Sequence, residues 1–315
     1  MRMRGAPFVV LPIAAGAMWG SAGVFVRTLA DAGMDPFTIV LSRLALGMLL
    51  VLALILVKDR SMLRIRKEDV PLMIVCALSL AGLNVLYTVS AQHATLSLAA
   101  VLISMSPVFM VIMARAAFGE RITRRKSICI LAAATGCVMV SGVLEGSHEA
   151  STVGIAAGLT SAFCYALFGL LSKKASSNGY TTFTTLFWSM LVATLVLLPL
   201  SDPGSMMAYA CEGVPETLTL ILHGAVCSFL PNLLYTTAFI RLDAGTVSIL
   251  AATGEPVTAA VFGSAMYSET PSPIMIVGMI LALAAMAAIC RQNEKKDLAD
   301  PSERDTRTPR KDRDA

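Results

Sequence analysis

One carboxylate in this chain sits where a carboxylate is expensive. Glu255 lies deep inside a long apolar run, beside Pro256. An ionisable group at that depth is a functional candidate by default, able to carry a proton or to answer a substrate amine. The alternative is an internal pair, or a group that holds the break made by Pro256. Its cationic counterpart is Arg43, in the outer third of another apolar run, which can attract a carboxylate or pair with an internal acid. Asn84 and Tyr87 recur as Asn232 and Tyr235. At 1.5 Å per residue, Asn84 lies about 12 Å from one end of its run and Asn232 about 10 Å from the opposite end of its own. Amides and phenols in hydrocarbon need hydrogen-bond partners. These four either line a polar cavity or bond helix to helix, at about 0.6 kcal/mol per contact. Trp19 and Tyr165 occupy related positions and supply aromatic faces for an organic substrate or for packing. Pro107 and Pro256 each fall in mid-run. A proline frees one carbonyl and kinks a helix, and paired helix breaks in corresponding segments point to a central binding site. His223 reads as a packed histidine before a ligand. Gly16 and Gly20 read as a close helix approach.

Other chemistries lack their residues. The three histidines, His93, His148 and His223, form no HExxH pattern, and the seven cysteines form no CxxC pair. No metal site or disulfide framework is expected. There is no Walker A loop to use ATP, and no GxSxG with a partnered histidine. No catalytic residue is assigned and the chain is read as a non-enzyme. No cofactor is implied beyond a proton that Glu255 can carry.

The elements that hold these residues follow from composition. The 315 residues are 56% hydrophobic and 15% charged, with mean hydropathy +0.72. A soluble domain carries about 25% charged residues. The last 25 residues alone hold 8 of the 25 Lys+Arg and 7 of the 21 Asp+Glu. Too few charges remain to cover a water-facing surface, so the chain is a polytopic membrane protein. Ten continuous runs are long enough to cross a hydrocarbon core as helices: 7–27, 36–57, 70–92, 95–118, 126–143, 152–172, 181–200, 217–239, 244–267 and 272–290. Barrel strands would alternate over about ten residues instead. Arg2 and Arg4 precede the first run as in a signal peptide, but the run is too long for a signal core and nine more follow. With a cytoplasmic N-terminus, 22 basic residues fall on the cytoplasmic side and Arg27 alone on the other. That bias sets both termini inside. Arg115 is read as snorkelling. The mixed-charge tail 291–315, with Pro301 and Pro309, is read as disordered.

The chain also repeats itself. Residues 83–88, Leu-Asn-Val-Leu-Tyr-Thr, match 231–236, Pro-Asn-Leu-Leu-Tyr-Thr, at an offset of 148. Gly33 and Phe37-Thr38 match Gly179 and Phe183-Thr184 at 146; Pro107 and Glu120 match Pro256 and Glu269 at 149. Five spans per copy is an odd number, so the second copy enters from the opposite face. Residues 1–146 and 147–290 are read as two inverted five-helix repeats, an architecture that recurs among secondary transporters with a midplane site. Glu120 and Glu269 are read as loop or cap residues.

On Trp19-Gly20-Ser21, Arg43, the Pro107 to Glu120 stretch and the Glu255-Pro256 to Glu269 stretch, the chain resembles the EamA-type ten-span permeases of the drug/metabolite transporter superfamily. It departs at Leu44, where that family often has an aromatic residue, and at Cys129, where a glycine is common. The resemblance implies export of a small organic metabolite, such as an amino acid, from the cytoplasm across the cell membrane by alternating access. Spans 1, 3, 4, 6, 8 and 9 would line the cavity. A multidrug or quaternary-ammonium carrier shares the fold, and a non-transporting sensor or enzyme is the remote alternative. The expected partners are the substrate and the lipid bilayer, not nucleic acid, and a homodimer is left open.

Overall fold

The computed structural model describes residues 6–118, 124–140, 151–238, 242 and 244–299. Among them the chain is helical throughout, with no strand. The helices are α1 (Ala6–Gly20), α2 (Ala22–Asp31), α3 (Pro36–Lys58), α4 (Val70–His93), α5 (Leu96–Ile103), α6 (Ser106–Phe118) and α7 (Arg124–Val140). There follow α8 (Thr152–Ser177), α9 (Thr182–Leu197), α10 (Pro203–Glu212), α11 (Val214–Gly224), α12 (Leu230–Ala238), α13 (Ala244–Tyr267) and α14 (Pro273–Ala299). Among the described residues, seven stretches are long and apolar enough to cross a membrane, the longest being Lys67–His93, and Ser127–Val140 and Pro273–Ala285 are shorter apolar helices. Large apolar side chains also face outward, such as Leu131 at 68% and Ile280 at 62% exposure. Lipid, not water, suits that surface. The protein is a multi-pass membrane protein.

Polar caps start the helices. Asp35 accepts from the backbone N–H of Phe37 and Thr38, Thr95 from Leu98, Ser151 from Gly154 and Thr181 from Thr184. Each satisfies a donor that the first turn leaves without an intrahelical partner.

One turn is built twice. After α2, Met34 N–H reaches the Leu29 carbonyl and Gly33 N–H the Ala30 carbonyl; after α8, Tyr180 reaches Ala175 and Gly179 reaches Ser176. Gly33 and Gly179 have φ of 86° and 96°, the left-handed conformation that ends a helix this way. The bonds repeat at an offset of 146. The two copies stand at opposite ends of α4. Arg27, just before the first, donates to the carbonyls of Ala91 and Ala94 where α4 finishes, and Asn178 and Tyr180 of the second donate to Asp69 where α4 begins. Desolvation, then the Asp69 carboxylate, raise the Tyr180 phenol above its ordinary pKa.

Packing follows the same exchange. α4 lies on α8 as α12 lies on α1; α5 and α6 lie on α8 as α13 lies on α1; α9 lies on α4 as α11 lies on α3. The pairs α3–α9, α5–α13 and α7–α14 are their own counterparts. Small residues let these helices meet. A Cβ on Gly16 or Gly20 of α1 would strike the backbone carbonyl of Ala251 or Glu255 on α13, and one on Gly136 of α7 would lie 2.6 Å from the Gly278 carbonyl of α14.

Several boundaries differ from those expected. The run 95–118 is two helices, because Pro107 has no N–H for the Ile103 carbonyl and the chain tightens at Met105 into bonds of three-residue reach. At Pro256 the expected break is only a missing donor, and α13 runs on through it. The segment between α9 and α11 forms an extra helix, α10, started by Asp202 and Pro203. α14 continues to Ala299, past the expected edge of a disordered tail at 291, because Gln292, Glu294, Lys295 and Lys296 favour helix and no breaker comes before Pro301. The charged turn at Glu120, the Arg115 side chain and the tail from 300 onward lie outside the described residues.

The α1–α13 contact gives a direct prediction. Gly16→Val is expected to lower stability by about 1–3 kcal/mol through overpacking, read as a lower thermal midpoint in detergent. Gly169→Ala, where only the flexible end of Met110 lies near at 3.1 Å, is expected to leave the midpoint unchanged or raise it.

Candidate functional site

The helix from Val214 to Ala238 is interrupted at Ala225–Phe229 by a π turn, closed by the Leu230 N–H on the Ala225 carbonyl. Pro231 explains the freed carbonyl within it. In a regular helix residue 231 would donate to the carbonyl of Cys227, and a proline cannot. Arg43 of α3 supplies the missing donor. One of its terminal N–H groups reaches the Cys227 carbonyl at 2.6 Å, and its Nε–H reaches Ser228 Oγ at 3.0 Å. Cys227 is 0% exposed, so the bond is shielded from bulk water.

Around Arg43 the other candidates gather in part. Glu255 of α13 and Tyr87 of α4 both lie within electrostatic reach of its charge. Tyr87 is 3% exposed and its hydroxyl has no partner among the described residues. Glu255 is half-buried, and among the described residues its carboxylate enters no ion pair. Trp19 of α1 meets Tyr235 of α12, ring centroids 5.6 Å apart. Tyr165 of α8 packs half-buried against the same apolar cluster that holds Tyr87. The two asparagines are not joined. Asn84 donates to the Leu80 carbonyl and Asn232 to the Ser228 carbonyl, each one turn back on its own helix, at 2.8 and 2.7 Å. Each leaves its amide oxygen for another donor.

His223 is fully buried and stacks on Phe25, centroids 5.5 Å apart. Ser42 Oγ donates to the Ile39 carbonyl and lies 3.4 Å from His223 Nδ1. With the hydroxyl proton engaged at Ile39, the contact suits the tautomer that carries its proton on Nδ1, and Nε2 has no partner among the described residues.

A second polar knot closes one end of the bundle. Arg27 pairs with Glu269 at 2.6 Å, lies 4.6 Å from the Tyr267 ring centroid, and makes the two carbonyl bonds at the end of α4. Glu269 also accepts from the Leu96 N–H at the start of α5. Reading Glu269 as a cap from sequence captures that last bond and misses its partner. Arg27 is the lone basic residue assigned to its side of the membrane, which is the signal that could have linked it to an acid.

The sequence pattern of the EamA-like transporter family matches the chain twice, over residues 6–142 and 152–291. The chain belongs to this family. As an EamA-like transporter it is similar to the pseudopaline exporter CntI of Pseudomonas aeruginosa strain UCBPP-PA14, 29% identical over 83% of this chain and 88% of that protein. It is also similar to a probable terminal-alkyne amino-acid exporter of Streptantibioticus cattleyicolor, 25% identical over 91% and 95%, and to the threonine/homoserine exporter RhtA of Escherichia coli K12, 26% identical over 92% and 94%. A solved crystal structure, 17% identical, covers 92% of this chain and 98% of its own at a TM-score of 0.60, and shares the fold.

In this EamA-like chain the Arg27–Glu269 pair is largely buried, with 18% and 13% of the side chains exposed. Glu269→Gln is expected to cost about 1.5–3 kcal/mol, the range for hydrogen bonds to charged groups. Chemical unfolding in detergent measures it, and a change below about 0.5 kcal/mol, the range of an unremarkable surface substitution, would show the pair to be idle.

Proposed function

We propose that this transporter exports an amino acid or a close relative of one across the cytoplasmic membrane by alternating access. In this reading ten spans cross the bilayer, both termini are cytoplasmic, and residues 1–146 and 147–290 are two inverted repeats that rock about a central site. The twofold family match, the turn repeated at Gly33 and Gly179, and the exchange of packing partners between halves support the repeat. Opposite openings built from similar halves have similar energies, which alternating access requires.

The observation that carries the substrate class is that a cation and an acid lie near each other without pairing. Arg43 and Glu255 share one electrostatic neighbourhood without forming an ion pair. A zwitterion has a carboxylate for the first and an ammonium for the second. Trp19 and Tyr235 offer an aromatic wall, and Tyr87 and the amide oxygens of Asn84 and Asn232 complete the polar lining. The exporters of amino acids and related metabolites among the relatives fit this chemistry. In the same reading Glu255 takes up a proton when the ammonium leaves, which couples export to proton entry.

Counterflow in proteoliposomes tests the reading. Labelled L-threonine is expected to exchange against unlabelled amino acids and not against lipophilic quaternary cations. Glu255→Gln is expected to lower that flux about 10- to 100-fold, matching the loss of one charge-assisted contact, and to flatten its pH dependence. Exchange of quaternary cations alone would replace the amino-acid reading with a drug carrier. Unchanged flux and pH profile in Glu255→Gln would remove the coupling role.

A further inference from the structure

The two halves carry an internal comparison. In the first, Leu83 stands where the second has Pro231, and α4 runs as a regular helix from Val70 to His93. At the repeat offset of 146, Ser189 of α9 stands where α3 has Arg43, and its buried hydroxyl has no partner among the described residues. The arginine, the proline and the π turn therefore occur together in one crossing and are all missing from its counterpart. The pattern has a physical cause. Once Pro231 leaves the Cys227 carbonyl without a donor in a dry interior, something must reach it.

A neutral donor would meet that need. Arg43 brings a full charge and five N–H groups, of which the described contacts use two. A carboxylate carries a full charge and can accept two parallel N–H bonds from a guanidinium, whereas the Cys227 carbonyl is neutral and accepts one. Seated against the guanidinium, it would compete with the Cys227 carbonyl and draw the side chain toward itself. A π turn is a frequent functional deformation in a helix, and the bond holding this one would break as the ligand binds. That supplies the differential contact without which a ligand cannot shift a conformational balance.

We propose that Arg43 is a shared donor. It holds the Cys227 carbonyl in the substrate-free protein and passes to the carboxylate of the transported molecule, releasing the Ala225–Phe229 turn as the hinge between α11 and α12. The ligand half rests on the amino-acid reading above; the hinge half rests on the helix alone.

Hydrogen exchange of the full chain in nanodiscs separates the two. Without ligand, the wild-type amides of 225–230 are expected to exchange slowly, and in Arg43→Gln at least fivefold faster, while residues 79–84 of α4 stay slow in both. Equal exchange in the two proteins, with α4 protected, overturns the hinge whatever the substrate is. With saturating L-threonine, wild-type 225–230 is expected to accelerate at least fivefold, and with threonine methyl ester, which lacks the carboxylate, not at all. An ester as effective as the acid overturns the handover. Where threonine fails in counterflow, the substrate reading fails and the ligand-free comparison still decides the hinge. Pro231→Leu restores the N–H and guards against an Arg43→Gln protein that does not fold. Its amides are expected to stay slow with and without threonine, and a threonine-induced rise there overturns the proposal.

Discussion

A backbone carbonyl without a donor costs several kcal/mol in hydrocarbon, and the polar side chains of this chain are placed largely against that cost. Arg27 covers the carbonyls of Ala91 and Ala94 where α4 ends. Glu269 covers the N–H of Leu96 where α5 begins. Arg43 covers the carbonyl that Pro231 leaves open. Asp35, Thr95, Ser151 and Thr181 cover helix starts. Polar groups outside this service stand out by contrast. The Tyr87 hydroxyl, unpartnered among the described residues, and the Glu255 carboxylate, free of ion pairs among them, both lie within electrostatic reach of Arg43.

Much of this was legible in the sequence because it is local. Long apolar runs give α3, α4, α8 and α9 to within five residues at either end, since the length of an apolar run is read directly along the chain. The repeat was legible too, because the turn at Gly33 needs the same left-handed glycine as the turn at Gly179. Trp19 meets Tyr235 and each of Asn84 and Asn232 donates to its own helix, contacts that depth along a run does not specify.

The features that escaped depend on partners far apart in the chain. Nothing near Arg27 indicates Glu269, and nothing near Arg43 indicates Cys227. The π turn leaves one trace, the proline that opens Pro-Asn-Leu-Leu-Tyr-Thr where the first copy has leucine. Four matches in six revealed the duplication; of the two mismatches, the one at Pro231 marks where the copies have diverged in structure. Proline position alone also misled. Pro107 splits its span and Pro256 does not, because the same missing N–H can be absorbed by a tightened turn or by one unmade bond in a helix packed along its length.

The cluster at Arg27 joins α2, α4, α5 and α13 through one side chain and its acid. While it holds, these helices share a fulcrum at that end. Rods pinned at one tip can separate only at the other, so tilting among them is magnified with distance from Arg27 and is greatest some 30 Å away, about the length of a 20-residue helix.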